Sequence, residues 1–209
     1  MEIEAAVMMA MAAALRLWSS NSLGWMIHPR ELELQSRRAA AIAIMTAASI
    51  STNYLLIGVV NVKLMDLIVF SSGYLYGCLA GVMVGLLTWL VYGTLNPYGF
   101  SLPILIATML CETLYGVVGG LLARRGFWDG GFIDGAVRFG VLGFLLTSIY
   151  DLITNIVSGL VAGIPIAVAL IAGVPFALIH EISNTLLFSL GAPPLIRALR
   201  RFGGGIYGW

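Results

Sequence analysis

From Leu67 to Cys111 the chain carries no Lys, Arg, Asp or Glu, and Leu152 to His180 is equally free of them. A membrane-crossing helix needs only about 20 apolar residues, so each charge-free stretch is long enough to hold one. Soluble domains carry about a quarter charged residues; here the share is 10%, with 60% hydrophobic. A mean hydropathy of +0.97 agrees. The chain reads as an all-α membrane protein folded as one bundle. Its net charge of +1 says nothing of partners, because charge in such proteins is sorted by membrane side; no nucleic acid is expected.

Several chemistries are excluded early. Cys78 and Cys111 both lie in apolar helix and read as small buried hydrophobes. No CxxC or HExxH spacing occurs, so no metal and no cofactor is expected. Lys63 is the only lysine and follows no glycine-rich loop, so ATP is not hydrolysed through a Walker A motif in this chain.

Residues 1–36 read as an extension: an amphipathic or interfacial helix over Val7–Trp18, then a polar linker, His28–Arg38. A start codon assigned too far upstream is the alternative. Residues 37–201 read as a six-helix transmembrane domain, and 202–209 as a short tail. Ala39 to about Ile57 is the first span, with Ala39, Ala43 and Ala47 spaced as a small-residue face. Leu64 to Leu95 is too long for one span and barely enough for two. Glycines recur within it at Gly73, Gly77, Gly81 and Gly85, a ladder that lets membrane helices approach closely. Two short helices meeting near Gly77–Gly81 place Arg37, Arg38, Arg124, Arg125, Arg138, Arg197, Arg200 and Arg201 on one side, as the positive-inside rule requires. One long helix would break that rule. The turn Asn96–Gly99 then lies outside, and Leu102–Ala123, Val137–Leu160 and about Ile166–Leu190 are the last three spans. Pro193 and Pro194 are expected to stop the sixth, and Pro175 to kink it. The C-terminus of the main domain is expected in the cytoplasm of a prokaryotic cell.

Ionisable groups inside a bilayer are costly and mark functional sites by default. Glu112 sits mid-way along the fourth span with Thr108 and Tyr115 on its face. Thr147, Asp151 and Asn155 form a stripe on the fifth, and His180 with Asn184 an i, i+4 pair on the sixth. Glu112 and Asp151 each lie roughly 15 Å below the outer surface at 1.5 Å rise per residue. Convergence at one depth points to a cavity open to the outside. The competing reading is interhelical hydrogen bonding with no ligand. Trp89, Tyr92, Tyr98 and Tyr54 read equally as an interfacial belt or as a lid over a flat ligand. An intramembrane hydrolase using Glu112 and His180 is the alternative function. Yet Glu112 has no acidic neighbour and no Arg four positions on, as a glutamic protease would need. An ion antiporter lacks a basic partner for Glu112 and Asp151.

The ordered set NVKLMDLIVFSSGYLYGCLAGVMVGLL, WLVYGTLNPYGFSLPIL, ATMLCETLYGVVGGLLARR and YDLITN resembles the substrate-binding S component of energy-coupling factor (ECF) transporters. The resemblance covers about Arg37 to Arg201. It implies six transmembrane helices and capture of a vitamin or similar micronutrient from outside, with no enzymatic activity in this chain. It implies two kinds of partner, a membrane-embedded T component and a pair of ATP-binding cassette ATPases. Ala39, Ala43 and Ala47 match the family's contact with the T component. The family's pocket maps onto Asn61, Lys63, Asn96, Tyr98, Glu112, Tyr115, Asp151, Asn155, His180 and Asn184. Three acids and several aromatics suit a cationic or neutral nitrogen heterocycle, which ranks a thiamin-like ligand slightly ahead of riboflavin, cobalamin, biotin or a queuosine precursor.

Overall fold

A computed structural model of the protein describes residues 29–95, 97 and 99–202. The expected helix over Val7–Trp18, the site candidates Asn96 and Tyr98, and the tail 203–209 lie outside the described residues. Among the described residues all regular structure is helical, in six helices: α1 (Pro29–Leu55), α2 (Met65–Tyr76), α3 (Cys78–Leu95), α4 (Leu102–Arg124), α5 (Phe132–Ala162) and α6 (Ile166–Phe202). The chain divides between Arg37 and Arg38, and residues from Arg38 onward form one compact unit that holds the site described below.

Four helices, α3 to α6, are long and apolar enough to cross a membrane. The two short helices expected between Leu64 and Leu95 are α2 and α3, and the break falls at Gly77. There the backbone adopts φ 94°, ψ 161°, which only glycine takes without strain. Its N–H still closes the last turn of α2 onto the Gly73 carbonyl at 2.9 Å, so α3 starts at once.

The glycine ladder is a packing device. A Cβ on Gly73 would fall 1.9 Å from the Gly116 carbonyl oxygen, and one on Gly81 2.5 Å from the Gly116 Cα. Gly119 meets the Phe70 carbonyl in the same way, at 2.3 Å. Thus α2, α3 and α4 touch backbone to backbone, which places the residues of α4 against both short helices. Around this contact Phe70, Tyr74, Tyr115, Phe139 and Phe188 form the aromatic core.

Two expectations about helix ends are corrected. The stretch read as a polar linker is helical from Pro29 onward; proline is well placed in a first helical turn, and no breaker follows it. At the other end α6 runs through Pro193 and Pro194 to Phe202. Gly135, Gly140 and Gly143 of α5 form a groove that receives Pro193, Ser189 and Phe188; a Cβ at these glycines would lie 3.2, 2.0 and 2.7 Å from them. Continuing the helix buries Ala192 and Ile196 completely. That packing outweighs the hydrogen bonds the prolines forgo. The basic end is organised by the same continuation. Arg197 donates to the Gly130 carbonyl and lies over the Trp128 ring, while Arg200 lies over Tyr74.

The fifth helix starts earlier than expected, at Phe132, supported by an Asp134–Arg138 pair at 2.7 Å. It ends where expected: Gly163 is left-handed (φ 68°) and the Ile164 N–H reaches back to the Gly159 carbonyl.

Candidate functional site

At the end of the bundle opposite Trp128, near the start of α4, a cavity of about 430 Å³ is lined by Asn61, Lys63, Trp89, Tyr92, Phe100 and Thr108 among others. A second, of about 290 Å³, shares Asn61, Lys63 and Tyr92 with it and adds Asn53 and Phe176. The turn between α1 and α2 supplies Asn61 and Lys63. Asn61 is left-handed (φ 52°), a conformation asparagine tolerates better than most residues. Its amide donates to the Phe176 carbonyl at 3.0 Å, which pins the turn to α6.

Trp89 of α3 is fixed from several sides. Its Nε1–H donates to Glu112 Oε2 at 3.2 Å. Tyr92 meets it edge-on and Tyr150 lies roughly parallel, with ring centroids 5.7 and 6.5 Å away. The Lys63 ammonium sits 5.0 Å from the Trp89 ring centroid and 5.7 Å from that of Tyr150, a cation–π arrangement.

Below this layer lies a buried polar network. Each His180 ring nitrogen faces a carboxylate: Nε2 is 2.8 Å from Asp66 Oδ2 and Nδ1 2.9 Å from Asp151 Oδ1. The Asn184 amide donates to Asp66 Oδ2 at 2.6 Å and to the Thr147 hydroxyl at 2.8 Å. Thr147 passes its own proton to the Gly143 carbonyl and so receives the Tyr115 hydroxyl, 3.0 Å away. Asp66, Glu112, Thr147, His180 and Asn184 are almost wholly buried. The network joins α2, α4, α5 and α6, and Tyr150, edge-on to His180 at 5.6 Å, links it to the Trp89 layer.

The residues singled out in the sequence thus separate into groups. Asn61 and Lys63 line the cavities. Tyr115, Asp151, His180 and Asn184 meet in the network, and Glu112 holds Trp89. Asn155 lines neither cavity; its amide packs against Gly173 in a notch between α5 and α6 that Ser148, Asp151 and Glu181 also line. Ala39, Ala43 and Ala47 are exposed on α1, while Met45, Thr46 and Ser49 are buried. Asp66, which was not among the expected site residues, is the most connected acid of the network. Its place in the first turn of a helix, four residues before Phe70 in the core, was the available signal. The hydrolase arrangement does not form, since both His180 nitrogens face carboxylates and Glu112 faces Trp89.

The sequence model of one family, ECF-type riboflavin transporter, S component, matches residues 33–201. The chain belongs to that family. The match spans all six helices from within α1 to Arg201. No curated protein and no solved structure matches the chain. As an ECF S component, the chain is a membrane protein of vitamin uptake, a transport subunit.

Proposed function

We propose that this S component captures riboflavin, or a closely similar flat and neutral heterocycle, in the cavity beside Trp89. The observation that carries the choice of ligand is the Lys63 ammonium over Trp89 and Tyr150. A cationic ligand such as thiamin would need those ring faces, and it would meet a positive charge there. Asp66 and Asp151 face His180, Glu112 faces Trp89, and none of the three lines either cavity. The acids that favoured a cation in the sequence are therefore turned away from the ligand. An isoalloxazine ring offers an aromatic face to Trp89 and carbonyl acceptors to Lys63 and Asn61. The cavity volume of about 430 Å³ lies in the usual small-ligand range of about 300–1,000 Å³.

In this proposal Asn61 and Lys63 form the outer mouth, and Tyr115, Asp151, His180 and Asn184 support it from below. The full domain crosses the plasma membrane of a prokaryote six times, with α1 and α2 as the first two crossings and the arginine-rich end in the cytoplasm. Ala39, Ala43 and Ala47 meet the T component, which two ATP-binding cassette ATPases drive. Mass spectrometry of small molecules released from the purified chain tests the ligand. Riboflavin or another flavin is expected; thiamin, or no bound vitamin after growth in vitamin-rich medium, would refute the proposal.

A further inference from the structure

We infer that Glu112 is a positioning residue, acting on the ligand only through the indole of Trp89. The inference rests on the proposed use of the cavity beside Trp89, and it assigns Glu112 a different role from the ligand contact that an intramembrane acid first brings to mind.

Three observations carry it. Glu112 is completely buried and is absent from the lining of both cavities, whereas Thr108, one turn nearer the mouth on the same face of α4, lines the larger one. The carboxylate's Oε2 accepts the Trp89 Nε1–H at 3.2 Å, and Trp89 does line that cavity. The approach is built into the backbone: Gly85, one turn before Trp89 on α3, lies where a Cβ would come within 3.2 Å of Glu112 Cγ. A Cβ at position 85 would force the Glu112 side chain to give way by a few tenths of an ångström. An indole bonded at its N–H, met edge-on by Tyr92 and faced by Lys63 has little freedom to rotate, and a pre-set ring spares the ordering cost of stacking. An ionisable group in a membrane is expensive. Here it secures one orientation of one ring.

The test is a double-mutant cycle on the purified full chain, with riboflavin as probe and quenching of flavin fluorescence as readout. Glu112→Gln keeps an acceptor for the indole and is expected to bind within about threefold of the parent, while Glu112→Leu fills the space without one and should weaken binding about tenfold. Trp89→Phe keeps a ring but no N–H. In that background Glu112→Leu should change affinity less than about twofold, because the partner through which it acts is gone. The full tenfold loss in both backgrounds would mean that Glu112 acts by a route other than the indole, on the ligand itself or through Asp66, and would overturn the inference. A second readout needs no ligand. The emission of Trp89, obtained by difference against Trp89→Phe, should shift in Glu112→Leu and return in Glu112→Gln. An unchanged Trp89 spectrum in Glu112→Leu overturns the inference whether or not riboflavin binds. Failure of the parent chain to bind riboflavin, with the spectral shift present, refutes the ligand and leaves the positioning role standing.

Discussion

His180 stands between carboxylates from two different helices, with Asp66 on α2 and Asp151 on α5. Removing one member of such a buried set strands the charge of another, at about 3–5 kcal/mol. The Asp66 carboxylate meets both His180 and Asn184, whereas the Asp151 carboxylate meets His180 alone among the described residues. Asp66→Ala should therefore lower the melting temperature in detergent more than Asp151→Ala does; equal shifts would show that the network is not centred on Asp66. Lys63 calls for a binding measurement. Lys63→Met removes the cation over Trp89 and keeps the aliphatic stem, so riboflavin affinity should fall about tenfold while the disadvantage of thiamin narrows. The cost of charge in a membrane made Glu112, Asp151 and His180 legible as a group. It could not show which way each side chain turns, and it passed over Asp66 because a residue at the start of a short helix reads like one in a loop. Trp89 stayed evenly balanced between two readings because an interfacial belt and a ligand platform use the same residue types.

The short helices α2 and α3 depend on glycine for two distinct reasons. Gly77 breaks the pair through its backbone angles, and Gly73, Gly81 and Gly116 let three helices meet. Gly116→Ala would place a Cβ 2.4 Å from the Gly81 backbone. The helices would have to separate, with a loss of about 1–3 kcal/mol, and since Glu112 lies one turn away on α4, riboflavin binding should weaken with stability. Unchanged thermal stability in Gly116→Ala would contradict the close contact. The ladder and the break were both readable, because spacing alone carries a small-residue face and charge bias demanded a reversal. The course of α6 was not. A proline pair normally ends a helix, and only the glycine groove of α5 explains why this one continues to Phe202. Such a groove belongs to the partner helix and has no signature next to the prolines.

Across the molecule the two ends differ in chemistry. Arg138, Arg197 and Arg200 gather around Phe127, Trp128 and Tyr74 at one end, and the cavities open near the start of α4 at the other. Along α1 the exposed Ala39, Ala43 and Ala47 leave a smooth strip suited to a second membrane helix. Ala43→Leu should prevent assembly with a T component in co-purification while leaving riboflavin affinity within about twofold, since the strip is separate from the cavity. Loss of both would mean that the strip serves the fold of this chain. The cavity under Lys63 and Trp89 is proposed to take a flat, neutral vitamin. The most direct test is titration of the purified full chain with riboflavin and with thiamin, each followed by calorimetry. A riboflavin Kd of about 1 μM or tighter is expected, equivalent to about −8 kcal/mol, with thiamin at least about a hundredfold weaker. Tighter binding of thiamin than of riboflavin would contradict it.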